Sequence, residues 1–301
     1  MSLLYALESI RTPFLNEVFL LFTRFGEETI VVVVFCALYW CIDKSLAYCV
    51  GVGYFFSSLL VQMLKISFRI ERPWVLDPNF KPVEGALAQA TGYSFPSGHT
   101  NSATALYGSL AMRAGRKWQR AVCIALIVLV GFSRMYLGVH TPLDVVVALL
   151  LTLLVCAAAY AFDRHYGAAR FYDAAVAAAM LLIAAAAFLL SLCIYHSGLI
   201  TIDNVADCFK AAGAALGFAA GYYIERRWIR FSVKCDRLWK QAVKFALGIG
   251  GLLACKQGLK PLLGTAPVAS AVRYFIVILW ATVLFPLIIR RFFAAKDNDV
   301  A

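Results

Sequence analysis

The chain has 301 residues, of which 62% are hydrophobic and only 15% are charged, and its mean hydropathy is +0.77. Soluble proteins of this length are closer to half apolar and one quarter charged. The apolar residues fall in runs that approach the roughly 20 residues a helix needs to cross a bilayer. These features exclude a water-soluble protein and predict an all-α, polytopic transmembrane helical bundle.

The net charge of +11 comes from basic residues that lie mostly in short loops between the apolar runs, where Lys and Arg set membrane orientation. No basic helix with interleaved aromatic residues accompanies them, so we exclude nucleic acid as a partner. Some of them will contact anionic lipid headgroups. The nine cysteines are scattered singly, without a C-x-x-C pair, which predicts neither a disulfide framework nor a structural metal.

The apolar runs predict about nine spans, near residues 28–42, 46–68, 97–112, 119–137, 142–161, 174–196, 207–224, 239–258 and 266–290. Residues 1–27 precede them and lack the pattern of a cleaved signal peptide. Within that segment Thr12-Pro13 predicts the start of an amphipathic helix at the membrane surface. We assign residues 28–171 to a catalytic core and residues 172–301 to additional C-terminal transmembrane helices.

Most of the 28 Lys and Arg residues fall in the loops on one side of this arrangement. The positive-inside rule then predicts an N-terminus outside and a C-terminus in the cytoplasm. The loop of residues 69–95 lies on the outer, non-cytoplasmic face, and loops of that length are often functional. It contains Trp74, Phe80 and Tyr93, aromatic residues of the kind that favour a membrane interface.

Three motifs fall at span ends on this outer face. They are, in chain order, Lys65 with Arg72-Pro73, then Phe95-Pro96-Ser97-Gly98-His99, and finally Ser133-Arg134 with His140 and Asp144. A phosphate monoester is a dianion, and its transfer is catalysed mainly by positioning and by stabilisation of charge. Three cations on one face can provide that stabilisation, and the fork of an arginine binds two phosphate oxygens at once.

The second motif predicts an anion site at a helix N-terminus. We expect Pro96 to be the first residue of the third span, which would leave the backbone N–H groups of Ser97 and Gly98 pointing outward. His99 would then be close enough to protonate a leaving oxygen as a general acid.

The third motif suits nucleophilic catalysis. Asp144 could accept the Nδ1–H of His140, which leaves the lone pair of Nε2 free to attack phosphorus. Each feature also has an ordinary structural explanation: Thr141 and Asp144 fit a capping box, and interfacial arginines snorkel. Two of only four histidines nevertheless converge with three cations on one face, where unpaired charge is expensive, and this coincidence favours a catalytic site.

The tripartite pattern resembles the signature of the type-2 phosphatidic acid phosphatase superfamily. That superfamily includes lipid phosphate phosphatases, undecaprenyl-diphosphate phosphatases, glucose-6-phosphatase and sphingosine-1-phosphate phosphatases, and the soluble vanadium haloperoxidases share its site. The resemblance covers residues 65–144 and implies catalysis without a metal or other cofactor. It implies the following roles: phosphate ligands at Lys65, Arg72, Ser97, Gly98 and Arg134, a leaving-group acid at His99, a nucleophile that becomes phosphohistidine at His140, and its orienting partner at Asp144.

The C-terminal helices go beyond the six-span core of many bacterial members of that superfamily. Nine spans with an outside N-terminus are similar to the glucose-6-phosphatase arrangement, which says little about substrate. These helices carry Lys256, Lys260 and Arg273 toward the outer face. Snorkelling is the favoured explanation for them, and the alternative is a second basic patch that faces the site.

These expectations describe a metal-independent phosphatase of the bacterial cell (inner) membrane that hydrolyses a lipid phosphate or lipid diphosphate on the non-cytoplasmic face. The alternatives are a phosphotransferase with an acceptor lipid, a glucose-6-phosphatase-like hydrolase of a soluble ester, and a degenerate lipid-phosphate binder. The binder is disfavoured because it would not need His99, His140 and Asp144. Undecaprenyl diphosphate, phosphatidic acid, phosphatidylglycerol phosphate and a sphingoid phosphate all remain open as substrates.

Overall fold

The computed structural model describes residues 1–235, 237–264 and 266–293, and within these ranges the chain forms helices and loops without a strand. The predicted cytoplasmic C-terminal tail lies outside the described residues. The α-helices are, in chain order, α1 Ser2–Ser9, α2 Pro13–Arg24, α3 Glu28–Ala37, α4 Lys44–Phe68, α5 Pro73–Leu76, α6 Gly98–Arg113, α7 Lys117–Tyr136, α8 Pro142–Tyr166, α9 Tyr172–His196, α10 Ile202–Ile224, α11 Leu238–Leu263, α12 Pro267–Leu279 and α13 Phe285–Phe292. A 3-10 helix covers Glu84–Gln89, and π-helical turns cover Leu38–Ile42, Glu225–Ile229 and Trp280–Leu284.

Every predicted span falls on a helix, and the predicted transmembrane bundle is confirmed. Six helical segments of the described chain are long and apolar enough to cross a membrane: Lys44–Leu76, Lys117–Tyr136, Pro142–Tyr166, Tyr172–His196, Leu238–Leu263 and Pro267–Phe292. The segments Pro13–Arg24 and Glu28–Ile42, bent by 44°, form a seventh if they are one broken span. The count of nine and the orientation stay predictions.

Helix α6 is not among these segments. It can be short and polar because it packs against other helices of the protein. It has 16 residues and contacts α4, α7 and α8, and most of its length is buried. Its polar side chains are paired: Asn101 donates to Ser58 Oγ at 2.9 Å and accepts from Thr152 Oγ1 at 2.8 Å. A central helix of this kind brings its N-terminus to the end of the bundle where the motifs lie.

The N-terminal helix α2 begins at Pro13, as predicted, and the side chain of Thr12 caps it by accepting from the N–H of Leu15. One face packs against α7, where the ring centroids of Phe19 and Tyr136 are 4.2 Å apart. The opposite face keeps Phe14 exposed. The helix is therefore two-sided, and its location at the membrane surface stays a prediction.

Two of the C-terminal helices, α10 and α12, are held together by a stripe of small residues. Gly213, Gly217 and Gly221 follow one another at intervals of four along α10. A Cβ on Gly213 would lie 2.0 Å from the carbonyl oxygen of Ala271, and one on Gly217 would lie 2.7 Å from that of Phe275. Helices α10 and α12 thus run parallel and touch backbone to backbone, the packing that small residues at four-residue spacing allow in membranes.

Contacts between α4 and α10 join the C-terminal helices to the rest of the chain. The rings of Phe55 and Phe218 stack with centroids 4.6 Å apart. At the far end of α10, the Lys44 Nζ lies 2.6 Å from Glu225 Oε1, and the Tyr48 hydroxyl donates to the same buried carboxylate. A buried carboxylate needs such partners because an unpaired charge there is costly.

Two of the three aromatic residues that we noted in the loop after α4 do not lie at a membrane interface. Phe80 and Tyr93 are buried, at 1% and 7% exposure, and the expectation of an interface position is wrong for both. Phe80 is covered by Tyr5, whose ring centroid is 5.4 Å away, and by the guanidinium of Arg11. The N-terminal helices therefore cover the loop that carries part of the site.

Candidate active site

The three motifs converge at one end of the bundle, around His140. Lys65 lies in the last turn of α4, Arg134 in the last turn of α7, and His140 in the loop between α7 and α8. The backbone N–H of Ser97 donates to the carbonyl oxygen of Asp144 at 3.0 Å and so ties the second motif to the third. Residues up to 79 positions apart in the chain, from Lys65 to Asp144, therefore share one site.

Arg72 is held rigidly beside His140 and is 5% exposed. Its Nε donates to the carbonyl of Gly92 at 3.0 Å and its Nη2 to that of Thr91 at 2.6 Å. Its Nη1 donates to the carbonyl of Val139 at 2.9 Å and lies 3.0 Å from Nε2 of His140. Because every nitrogen is engaged, the guanidinium has one orientation.

The contact with Arg72 assigns the tautomer of His140. An arginine can only donate, so Nε2 must accept, and the ring proton is then on Nδ1. Nδ1 lies 3.4 Å from Asp144 Oδ2 and 3.4 Å from Ser94 Oγ, while the Ser94 hydroxyl donates to Asp144 Oδ2 at 2.6 Å. The expected direct bond from His140 to Asp144 is long, and Ser94, which the sequence did not point out, bridges the two.

Asp144 also forms the capping box that was the structural alternative. Its Oδ2 accepts from the backbone N–H of Thr141 at 2.7 Å, and the Thr141 hydroxyl accepts from the N–H of Asp144 at 3.3 Å. Asp144 can therefore cap α8 and contact His140 at the same time, because its Oδ2 accepts from the N–H of Thr141 and also lies next to Ser94 and His140.

The surroundings of His140 keep its imidazole neutral. Burial lowers its pKa well below the usual value, and the positive charges of Arg72, Arg134 and Lys65 lower the pKa further. A neutral ring retains the lone pair on Nε2 at neutral pH.

Arg134 has donors that nothing in the described chain accepts from. It is completely buried, and its Nη1 donates to Thr23 Oγ1 at 2.7 Å, but Nε and Nη2 have no hydrogen-bond partner. Buried donors are normally satisfied, and an unpaired charged one is expensive. Lys65 adds a second buried cation, whose Nζ donates to the carbonyl of Tyr93 at 2.9 Å. The arrangement is suited to anionic oxygens.

The N-terminus of α6 differs from the expectation in its register. The helix begins at Gly98 with Ser97 as its N-cap, so the prediction that Pro96 is the first helical residue is wrong. The Ser97 hydroxyl accepts from the N–H of Thr100 at 3.4 Å, and the N–H of Ser97 is used by Asp144. A Cβ on Gly98 would meet nothing within 4 Å, so open space lies in front of this residue.

His99 lies at the rim of the pocket and is half-buried. Its Nε2 is 3.2 Å from Gln89 Oε1, and Gln89 Nε2 donates to Glu27 Oε1 at 2.8 Å. Because Glu27 can only accept when ionised, the Gln89 amide turns its oxygen to His99, and Nε2 of His99 therefore carries a proton. Neither Gln89 nor Glu27 belongs to a sequence motif, and only their position in the fold identifies them.

The loop that holds Arg72 and Lys65 is itself tied to α10. The Thr91 hydroxyl donates to Asp207 Oδ2 at 2.8 Å, and Asp207 Oδ1 accepts from Lys210 Nζ at 2.8 Å. A charged pair near the start of a predicted span, as Asp207 and Lys210 are, is a signal that sequence reasoning could have used, because ionisable residues in a span are costly and usually functional.

The positive charge described in the pocket is that of Lys65, Arg72 and Arg134. Within residues 1–235, 237–264 and 266–293, no three His, Cys, Asp or Glu side chains are grouped as metal ligands. The three cations adjoin a neutral imidazole whose lone pair faces Arg72, an arrangement that can bind a phosphate group next to a nucleophile.

Two sequence families match separate parts of the chain. Residues 46–168 match the PAP2 superfamily, and residues 209–297 match a family described as the transmembrane extension of PAP2 superfamily phosphatases. The first match contains all three motifs, and the second contains most of α10 and the helices that follow it.

Individual proteins are similar over shorter stretches. The chain is 28% identical over 174 residues to phosphatidylglycerophosphatase B of Bacillus subtilis (strain 168), covering 51% of this chain and 78% of that protein. It is 44% identical over 66 residues to an undecaprenyl-diphosphatase of Sulfolobus acidocaldarius, covering 20% and 29%. A solved PAP2-type phosphatidylglycerolphosphate phosphatase from Bacillus subtilis has a TM-score of 0.47 and 27% identity, covering 55% of this chain and 84% of that one. The chain is an integral multi-pass membrane protein and belongs to the PAP2 superfamily, the type-2 phosphatidic acid phosphatases that its motifs resemble.

Proposed function

We propose that this protein hydrolyses a lipid phosphate or lipid diphosphate through a phosphohistidine on His140, at the non-cytoplasmic face of the cell (inner) membrane of a bacterium. The observation that carries the proposal is the unprotonated Nε2 of His140, 3.0 Å from Arg72, in a pocket with two further buried cations. The names of the two relatives, a phosphatidylglycerophosphatase and an undecaprenyl-diphosphatase, support a phosphate on a lipid as the substrate class.

In the first step, Nε2 of His140 attacks phosphorus and forms a P–N bond while the bond from phosphorus to the leaving oxygen breaks. The leaving oxygen keeps the electron pair and takes a proton from His99, which acts in its imidazolium form and becomes a neutral imidazole. Arg72, Arg134 and Lys65 stabilise the charge on the phosphoryl oxygens, and the free donors of Arg134 are available to them. Asp144, through Ser94, stabilises the positive charge that develops on His140.

In the second step, water attacks the phosphohistidine. His99, now deprotonated, accepts the proton of the water, the P–N bond breaks, and its electron pair returns to Nε2. Inorganic phosphate leaves and both histidines regain their starting protonation. Side chains provide all the positive charge in this scheme, so the reaction needs no metal ion.

The test is phosphate release from a panel of lipid phosphates in detergent. His140→Ala should reduce turnover to the background rate, while His165→Ala, which changes an exposed histidine away from the motifs, should not. EDTA should leave the rate unchanged, and vanadate should inhibit because it can become five-coordinate on His140. Turnover by a folded His140→Ala protein close to that of the wild type would refute the mechanism.

A further inference from the structure

Arg273 in α12 is a buried cation that the proposed reaction does not use. It is 9% exposed, its Nη2 donates to Ser270 Oγ at 3.3 Å, and its Nη1 has no hydrogen-bond partner. The described chain brings no carboxylate to within ion-pair distance of it. Snorkelling toward the membrane surface therefore does not explain this residue, since its side chain is enclosed by protein. A buried guanidinium with a free donor fits an anionic partner.

Lys256 of α11 approaches the same place. Its Nζ lies 6.0 Å from the centroid of the Tyr274 ring, and the Cζ of Arg273 lies 5.8 Å from that centroid. Lys256 is exposed, so the group is open to the surroundings on its side. Contact with an aromatic ring stabilises an exposed cation only weakly and does not neutralise it.

The acidic residues nearby do not neutralise these two cations. Glu28 and Asp207 are the carboxylates whose charge reaches Tyr274. Asp207 is already paired with Lys210 at 2.8 Å and with the Thr91 hydroxyl. Glu28 interacts electrostatically with Lys256, but the two do not form an ion pair in the described part of the chain.

The depth of the two cations suggests which anion they meet. Lys256 lies seven residues before the end of α11 and Arg273 six residues after the start of α12. At 1.5 Å per residue, both backbones are roughly 10 Å from the helix ends, and the exposed side chain of Lys256 can extend from that depth to the headgroup region. The anion that a bilayer offers at this level is a lipid phosphate.

We propose that Arg273 and Lys256 form a second site, separate from His140, that binds the phosphate group of a lipid. It lies toward the same end of the bundle as the active site. Ala271 of α12 packs against Gly213 of α10, and Asp207, which contacts the loop at Thr91, lies six residues before Gly213 on the same helix. The phosphate has two possible sources. It is either a second phosphate of the lipid being hydrolysed or the phosphodiester of a neighbouring phospholipid.

Binding can be measured without any assumption about catalysis. The full chain is purified in a maltoside detergent, and its melting temperature is followed as short-chain phosphatidylglycerol is added. The lipid should raise the melting temperature of the wild type and of Lys260→Gln, an exposed lysine on the next turn, but not that of Arg273→Gln. Lys256→Gln, which changes an exposed residue and should fold normally, should lose much of the rise. A monoacylglycerol of the same chain length should have no effect, and equal rises in all four proteins would overturn the proposal.

The source of the phosphate follows from kinetics in the same detergent. If it belongs to the substrate, Lys256→Gln should raise KM about tenfold for phosphatidylglycerophosphate, which has a phosphodiester as well as a monoester, and leave KM for phosphatidic acid unchanged. If it belongs to a neighbouring lipid, the two KM values should change equally and only when phosphatidylglycerol is present. Unchanged KM values under all conditions, together with unchanged melting, would reject the site. Failure of the proposed function would look different, since the wild type would then release phosphate from neither lipid.

Discussion

One carboxylate oxygen, Oδ2 of Asp144, receives the N–H of Thr141 at 2.7 Å and the Ser94 hydroxyl at 2.6 Å, and lies 3.4 Å from the imidazole of His140. At the scale of the residue, the same carboxylate oxygen therefore caps α8 and orients the histidine. The helix cap fixes the carboxylate, and the fixed carboxylate keeps the ring proton on Nδ1. In the proposed reaction, this atom therefore serves both the stability of α8 and the chemistry of His140.

At Arg134, by contrast, a substitution should abolish activity without lowering the stability of the protein. Its Nε and Nη2 are buried and unpaired without substrate, so replacement by an apolar side chain of similar length removes a cost. We expect Arg134→Met to lose phosphatase activity while its melting temperature stays equal to or above that of the wild type. Activity assays and thermal melts of the two proteins check this. A large fall in melting temperature would mean that Arg134 is mainly structural.

The pH dependence of activity should reflect the environment of His140. Burial and three neighbouring cations lower its pKa well below 6.5, so the neutral, nucleophilic form persists as the pH falls through that value. The acid limb of kcat/KM that belongs to His140 should therefore lie below pH 6.5. A profile measured on a substrate whose phosphate is already ionised tests it, and an acid limb above pH 6.5 would contradict the assigned environment.

At the scale of the element, the loop of residues 91–93 depends on a helix more than a hundred positions away. Its carbonyl groups accept from Arg72 and Lys65, and its Thr91 side chain donates to Asp207. We expect Asp207→Asn to raise KM about tenfold with a smaller effect on kcat, because the cations that we propose as phosphate ligands lose their alignment. Asp207→Glu should restore part of the loss.

Asp203→Asn is the matched control, because Asp203 is exposed on the first turn of the same helix. It should leave both constants unchanged. Equal effects of the two amide substitutions would point to a general loss of charge on α10 and against a specific contact with Thr91.

Helix pairing should depend on the small residues of α10. Gly217→Ala adds a Cβ 2.7 Å from the Phe275 carbonyl oxygen, and we expect it to destabilise the protein by about 1–3 kcal/mol. Gly250→Ala in α11 is the control, since a Cβ there meets nothing within 4 Å and alanine favours the helix. Thermal melts of both variants in detergent decide the point, and equal melting temperatures would argue against close contact of α10 with α12.

At the scale of the whole molecule, access of substrate depends on which face the pocket occupies. The Lys and Arg distribution favours the non-cytoplasmic face for the pocket and the opposite face for the loop after α10. Single cysteines at Asn79 and Ser232, both exposed, can be introduced after the native cysteines are replaced. A membrane-impermeant thiol reagent applied to intact cells should label the first and spare the second. The reverse pattern would assign hydrolysis to the cytoplasm.

The sequence by itself determined the helices, most of their boundaries and the residue types of the site. A segment in lipid must satisfy its own backbone hydrogen bonds, so a long apolar run leads to a helix with little dependence on its neighbours. For the same reason the approximate limits of α8 and α9 follow from local composition. The start of α6 differs from the predicted start at Pro96 because it depends on one side-chain hydrogen bond, that of the N-cap Ser97.

Tertiary structure alone decided which side chains meet. Ser94 lies 50 positions before Asp144, Gln89 is turned by Glu27, and Thr91 meets Asp207 across 116 positions. It also decided that Phe80 is buried and that Arg273 is enclosed, because burial depends on the packing of helices distant in the chain. Local patterns do not contain such contacts, since each one exists only after separate helices have packed and desolvated the groups between them.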